Sequence, residues 1–290
     1  MRKLCFLLLI AALMFFAFAH EGRRFEYVQE LARDVYVNWW ENDVLVATGR
    51  GVSPENTGSY ESAKIFARRA AVMDAYRNLA VQAGSIRITR DEKMSQSEVR
   101  ALLNGAEIVS EDYDERGNCT VVAKIPIYGV TNSVAKFAFK PVARENFLPP
   151  SESVTTEGNY TGLIIDCGDA ELNPVLSPTV RNEKNQSVYS YRNLEYEKVI
   201  AAGMIGYERK ASDSSILLSK SIFSVADAAG ANRAGNNPLV VKAVYMGDDN
   251  TCPVISAEDS DKILAENGIS HFLDNGAVVF TSNRIRGMRM

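Results

Sequence analysis

The histidines and acidic residues of this sequence are the side chains that could act in catalysis or bind a metal. The chain has two histidines, His20 and His271. A Ser-His-Asp or Cys-His arrangement would have to use His271, and no nucleophile-elbow motif accompanies it. A free N-terminal histidine can bind copper through its amine and imidazole, so His20 and His271 could form such a site. Because chain termini are usually unstructured, we favour the interpretation that both are ordinary polar residues.

An acidic cluster follows a predicted strand and consists of Asp166, Asp169 and Glu171. Carboxylates at the end of a strand can hold Mg²⁺ or Ca²⁺, or act as acid and base. The spacing does not match an EF-hand loop, and we favour a solvated turn. The sequence therefore predicts no catalytic residue, cofactor or metal, and leaves His20, His271, Asp166 and Asp169 as candidate metal ligands.

The N-terminal segment predicts export. Arg2 and Lys3 precede an apolar run from Leu4 to Ala19, which ends in the small-x-small sequence Ala17-Phe18-Ala19. This pattern is typical of a cleavable secretory signal, whose apolar region is shorter than a membrane span. The alternative is a retained anchor, since sixteen apolar residues lie just below spanning length. We predict cleavage near Ala19 and a periplasmic or cell-envelope location.

Composition narrows the class of protein. The chain has 290 residues, 46% of them hydrophobic, and a net charge of −4. These values are ordinary for a globular protein and argue against a nucleic-acid binder, which usually carries a basic domain or stripe. Arg284, Arg286 and Arg289 near the C-terminus could contact anionic lipid, which allows peripheral membrane contact.

Three cysteines remain outside the signal: Cys119, Cys167 and Cys252. An oxidising compartment would permit one disulfide and one free thiol. We favour the alternative of three buried thiols, because Cys119 and Cys167 lie in strand patterns. No Cys-x-x-Cys pair is present, so zinc and thioredoxin-like chemistry have no support.

A long alanine-rich helix is the strongest local signal of a first domain over residues 44–139. Between Ser59 and about Gln82 the chain has no glycine or proline, and alanines raise its helix propensity. Apolar side chains at helical spacing predict one buried face, made of Ile65, Phe66, Val72, Met73, Tyr76, Leu79 and Ala83. Neighbouring alanines predict a flat surface close to a sheet, made of Ala63, Ala67, Ala70 and Ala71.

The other elements of the first domain predict an α+β fold. Residues 44–51 are predicted to form a strand, and Ser95 with Glu98 indicates a capping box that opens a second helix. Residues 107–113 and 120–128 are predicted to form a hairpin. We expect a small antiparallel sheet packed on the alanine-rich helix. A lead-in helix over residues 20–43 ends in Trp39 and Trp40, which could be core residues or an exposed docking patch.

A second, mixed α/β domain is predicted over residues 162–290. Proline, serine and threonine in residues 140–161 indicate a linker. Gly162 to Gly168 reads as a buried strand that ends at a glycine, and Ser256 with Asp259 caps a later helix. The domain has no short internal repeat.

Two segments of the first domain resemble a known family. They are Ala47-Thr48-Gly49-Arg50-Gly51 and Ala63-(x)₃-Ala67-(x)₂-Ala70-Ala71-(x)₂-Asp74-Ala75-(x)₃-Leu79. The chain resembles the lipoprotein-twenty (LPP-type) family of bacterial envelope proteins over about residues 44–130. That family includes FlgP and the N-terminal domain of FlgT, which are associated with the flagellum and outer membrane. The resemblance implies no enzyme activity and no catalytic residues, and the chain lacks the lipidated cysteine of the lipoprotein members.

Three functions follow as hypotheses. The first is an exported, non-enzymatic envelope protein with a structural or assembly role. Its partner would be a flagellar-type or other envelope assembly, or further copies of the same chain. The second is a periplasmic ligand-binding module with a cleft between its two domains. The third is a metal-dependent enzyme that uses His20 or the Asp166 cluster. We favour the first, because it fits the export signal and the resemblance.

Overall fold

The structure, a computed structural model, describes residues 38–54, 59–210 and 233–287. The predicted signal, most of the lead-in helix and His20 lie outside these residues. The described chain divides into two compact units. The first comprises residues 46–79 and 106–124, and the second comprises residues 38–45, 80–105 and 125–287.

The helices and strands alternate irregularly along the chain. The helices are α1 (Trp39–Asn42), α2 (Tyr60–Ser85), α3 (Gln96–Leu103), α4 (Val134–Ala138), α5 (Tyr196–Ala202) and α6 (Ala257–Ser270). The first seven strands are β1 (Val44–Gly51), β2 (Glu107–Tyr113), β3 (Cys119–Pro126), β4 (Gly162–Asp166), β5 (Glu171–Leu172), β6 (Val180–Asn182) and β7 (Ser187–Tyr189). The others are β8 (Gly206–Arg209), β9 (Pro238–Lys242), β10 (Tyr245–Gly247), β11 (Cys252–Ile255), β12 (Val278–Ser282) and β13 (Arg284–Ile285).

The first unit has the predicted α+β arrangement, a small antiparallel sheet packed on an alanine-rich helix. The sheet order is β1-β3-β2, so β2 lies at an edge. Strands β2 and β3 pair antiparallel from Glu107 opposite Lys124 to Tyr113 opposite Cys119, which confirms the predicted hairpin.

The second unit is mixed α/β, as predicted, and is built around a parallel sheet of order β8-β12-β4-β9. Its two central strands, β4 and β12, begin with apolar residues and are buried except for the partly buried Asp166, as expected of parallel strands covered on both faces. A four-stranded sheet of order β10-β11-β6-β7 and the short pair β13-β5 complete the strands.

The predicted capping box of α3 is present, because the Ser95 hydroxyl accepts a hydrogen bond from the Glu98 N–H and the Glu98 carboxylate accepts one from the Ser95 N–H.

Residues 140–161, predicted as a linker, contain no helix or strand but are anchored along the second unit. Two carboxylates of α6 hold this segment. The Ser151 N–H and hydroxyl each donate to Asp261 at 2.6 Å. The N–H groups of Glu157 and Gly158 donate to the two carboxylate oxygens of Glu266, at 2.6 and 2.9 Å. We call residues 151–158 the anchored segment.

The Asp261 contact makes stability depend on pH in the acid range. The hydroxyl and N–H of Ser151 hold the pKa of Asp261 below its ordinary value. A carboxyl with a lowered folded-state pKa stabilises the fold fully above its unfolded pKa of about 3.9, and this stabilisation is lost as pH falls from there through the lowered folded-state pKa. We expect the difference in unfolding free energy between wild type and Asp261→Asn to shrink as pH falls through that range. Denaturant titrations at a series of pH values test this. A difference that stays constant would contradict it, and Asp112→Asn, at an exposed site, is the control.

The three cysteines are free and buried, which confirms the interpretation favoured from the sequence. Burial raises the pKa of Cys167 to about 12 and that of Cys252 to about 11, so both thiols stay protonated near neutral pH.

Trp39 and Trp40 are also buried, which confirms the interpretation of this pair as core residues. Among the described helices, none combines the length and the apolar character that crossing a membrane requires.

Candidate functional site

Three large apolar side chains lie at the surface of α2. Ile65 is 60% exposed, Phe66 51% and Met73 63%. We call these three residues the apolar face of α2. The prediction that they are buried was wrong, although Leu79 and Ala83 from the same predicted set are fully buried.

The glycines of β1 explain why the large side chains point outward. A methyl group added to Gly49 would lie 2.1 Å from the carbonyl oxygen of Ala71, and one added to Gly51 would lie 1.9 Å from that of Ala67. The helix backbone therefore rests directly on the strand. Four alanines at four-residue spacing are buried at this contact: Ala63, Ala67, Ala71 and Ala75. Ala70, which was predicted on the same surface, is exposed, so that part of the prediction was wrong.

Polar contacts fix the rotation of α2 about its own axis. The Asn78 side-chain amide donates to the Thr48 carbonyl at 2.8 Å, and the Arg50 N–H donates to the Asp74 carboxylate at 3.1 Å. Because both contacts join α2 to β1, the helix cannot turn its large apolar side chains inward without breaking them.

Three arginines, two of them in ion pairs, lie beside the apolar face. Arg69 lies one turn from both Ile65 and Met73, and makes no ion pair with any residue that the structure describes. Arg68 Nε lies 2.7 Å from Glu111 Oε2, and Arg77 pairs with Asp74 at 3.0 Å. The face therefore combines exposed apolar area with an arginine that has no acidic partner among the described residues.

Strand β2 at the sheet edge is acidic and exposed. Glu107, Glu111 and Asp112 lie on it, and the hairpin loop adds Asp114 and Glu115. A hydrogen bond from the Tyr113 hydroxyl, at 2.6 Å, is the main cause that lowers the pKa of Glu111, and Arg68 adds to it. An edge strand also presents backbone N–H and C=O groups that can pair with another chain.

The predicted acidic cluster lies at the carboxyl end of β4 and is engaged within the fold. The half-buried Asp166 accepts hydrogen bonds from Lys210 Nζ at 2.6 Å and from the Gly168 N–H at 2.8 Å. Burial opposes ionisation, but these contacts outweigh it and lower the pKa of Asp166. Asp169 accepts a hydrogen bond from the Asn283 side chain. Within residues 38–54, 59–210 and 233–287, no group of three or more His, Cys, Asp or Glu side chains is placed to hold a metal.

His271 ends α6 in the left-handed conformation, with φ 54°. Its Nδ1 lies 3.5 Å from Asp274 Oδ2, and its side chain is mostly exposed. The structure does not bring His271 together with Asp166 or Asp169 as a metal site. The alternative of a copper site made by His20 and His271 is not tested, because His20 lies outside the described residues.

Sequence reasoning missed the outward direction of Ile65, Phe66 and Met73. A usable signal was present in the chain, namely alanines at a strict four-residue interval opposite a Gly-x-Gly strand. That combination indicates a close helix–strand contact, which leaves no room for large side chains on the contact face.

Comparison with protein families gives a match in the second unit. No curated protein matches the chain. The matched range excludes residues 44–130, which carry the resemblance to the lipoprotein-twenty family. Residues 162–284, which contain the parallel sheet, match the family model described as Treponema pallidum Tp0624, second domain.

Proposed function

We propose that this chain is an exported bacterial cell-envelope protein with a structural or assembly role, not an enzyme, and that copies of it associate through the apolar face of α2. The exposure of Ile65, Phe66 and Met73 on a firmly held helix is the observation that carries the proposal. Exposed apolar side chains grouped on one face are typical of interaction sites. The predicted export signal and the resemblance over residues 44–130 support the envelope location and the assembly role.

A second copy of the chain is the partner whose charge fits this face. Arg69 lies among the apolar side chains, and Asp112 and Glu115 lie on or beside the edge strand β2. If α2 of one copy packs against β2 of the next, apolar burial and opposite charges act together. Such a contact joins two different surfaces, so repetition produces a closed ring or a filament.

The oligomeric state of the mature chain tests this contact. We expect wild type to form oligomers in a concentration-dependent manner, and Ile65→Ser/Phe66→Ser/Met73→Ser to be monomeric by light scattering with an unchanged circular dichroism spectrum. Loss of about 2 kcal/mol or more of association free energy would follow from removing this apolar area. Arg69→Glu should weaken association as well. Val244→Ser/Ile269→Ser removes two exposed apolar side chains of the second unit and is the matched control. Wild type that is monomeric at all concentrations, or a control that dissociates equally, would contradict the proposal.

Cell fractionation tests the location and the larger assembly. Tagged wild type should sediment with the envelope, and with flagellar basal bodies if the partner is of the flagellar type. The triple variant should move to the soluble periplasmic fraction. Wild type found free in that fraction would contradict the assembly role and favour the ligand-binding alternative.

A further inference from the structure

A polar pocket of about 240 Å³ lies within the second unit, beside the turn between β10 and β11. Its wall includes two arginines, two aspartates and hydroxyl side chains, among them Arg90, Asp91, Arg181, Asp248, Ser177 and Thr179. The volume is below the roughly 300–1,000 Å³ of sites for drug-sized ligands, so a ligand here must be small.

Backbone hydrogen bonds join two sides of this pocket. The Leu176 N–H donates to the Arg87 carbonyl at 3.0 Å, and the Ser177 N–H donates to the Ile88 carbonyl at 2.7 Å. The segment that leads into β6 is therefore fixed to the segment that leads to Arg90.

A left-handed turn holds the third side. Asp248, Asp249 and Asn250 have φ of 49°, 58° and 60°, a conformation that non-glycine residues rarely adopt. The Thr251 hydroxyl donates to the Asp248 carbonyl at 2.7 Å, and the Asn173 side chain donates to the Asp249 carbonyl at 2.7 Å. These contacts keep the Asp248 backbone in one position at the pocket.

Ion pairs run along the wall and remain reachable from solvent. Asp248 Oδ2 lies 2.7 Å from Arg181 Nη1, and Asp248 Oδ1 lies 3.3 Å from Arg90 Nη1. Arg90 Nε also pairs with Asp91 at 3.0 Å. The side chain of Arg90 is 48% exposed, that of Arg181 37% and that of Asp248 29%. Among the described residues that line the pocket, two positive and two negative charges balance.

This balance favours a neutral ligand with several hydroxyl groups. A guanidinium has five N–H donors and a carboxylate about four acceptor sites, so an ion pair uses only part of the capacity of each group. A hydroxyl group can donate to the carboxylate and accept from the guanidinium while the pair stays intact. A free anion or cation would instead compete for one member of the pair and leave the other without its counter-charge.

We propose that this pocket binds a neutral polyhydroxylated ligand of the size of one sugar ring. Adjacent hydroxyls of the ligand bridge Asp248 to Arg181 and Arg90, through hydrogen bonds strengthened by the charge of the protein group. The hydroxyls of Ser177 and Thr179, each a donor and an acceptor, meet the hydroxyls on the other side of the ring. A free sugar and the terminal sugar of a glycan share this chemistry.

Saturation-transfer difference NMR on the full mature chain tests the ligand class. The probes are the methyl α-pyranosides of D-glucose, D-mannose and D-galactose, together with myo-inositol, because they differ in the orientation of their hydroxyls. We expect saturable binding of at least one probe, and no displacement by glycine or sodium phosphate. An absence of saturable binding with every probe, or displacement by glycine or phosphate, would overturn the proposal. The disaccharide of the bound sugar distinguishes the two sources, since a lower Kd than that of the methyl glycoside indicates a glycan and an equal Kd a free sugar.

Variants test which residues bind the probe. Arg181→Gln and Arg90→Gln should each raise its Kd at least about tenfold, since each removes a charged hydrogen-bond partner. Arg192→Gln is the matched control, because Arg192 pairs with Glu145 at 2.6 Å on the surface and does not line the pocket. Arg90 is about half exposed, so its variant remains informative if Arg181→Gln fails to fold. An Arg90→Gln protein that binds the probe as tightly as wild type would overturn the proposal.

Discussion

Gly51→Val is expected to lower the free energy of unfolding by at least about 3 kcal/mol and to separate α2 from β1. A single methyl at this position would already lie 1.9 Å from the Ala67 carbonyl oxygen. Backbone atoms cannot move aside as a flexible side chain can, so the whole helix would have to shift. The same argument applies to Gly49→Val, where the obstacle is the backbone of Ala71 and Ala75.

Denaturant unfolding followed by circular dichroism measures this effect. Gly84→Ala is the matched control, because Gly84 lies in the same helix and an added methyl meets no atom within 4 Å. That variant should gain roughly 0.4–1 kcal/mol by reducing the conformational entropy of the unfolded chain. A Gly51→Val protein as stable as wild type would show that α2 does not rest on β1.

Glu266→Ala is expected to destabilise the second unit by about 3 kcal/mol and to release the anchored segment. Glu266 is fully buried, and its two oxygens accept the N–H groups of Glu157 and Gly158. Truncation leaves two backbone donors without partners and a cavity in α6. Glu266→Gln should have a smaller effect, since one amide oxygen still accepts a hydrogen bond.

Limited proteolysis together with unfolding experiments measures the release. The variant should be cleaved within residues 151–158 faster than wild type, because an anchored backbone resists entry into a protease active site. Glu258→Ala, at an exposed position in the first turn of the same helix, should leave the cleavage rate unchanged. Equal protection of wild type and Glu266→Ala would show that the carboxylate does not hold the segment.

Local signals predicted the elements that depend on neighbours in sequence. The capping box at Ser95 and Glu98, the hairpin around Asp114 to Asn118, and the buried strand that begins at Gly162 all form where expected. The capping box and the hairpin depend on interactions within a few residues, so the sequence alone contains their physical cause. The strand that begins at Gly162 was indicated by its apolar run, although its pairing partners β9 and β12 lie far along the chain.

The candidate sites could not be predicted from local sequence patterns. Periodicity placed Ile65, Phe66 and Met73 on a helix but could not decide which face the helix turns to its sheet. The composition of residues 140–161 indicated a linker, whereas its anchors, Asp261 and Glu266, lie about a hundred residues later. Hydrophobic patterns carry no information about contacts of that sequence separation.

The sequence by itself predicted the α+β class and the alanine-rich helix, which the structure has, and an export signal, which stays a prediction. Only the tertiary structure decided the exposure of the apolar face of α2 and the anchoring of residues 151–158 by Asp261 and Glu266. The physical reason for this division is the range of the interactions. Helix propensity and strand alternation depend on neighbours along the chain, whereas the burial of a side chain depends on which backbone surfaces of the fold approach each other.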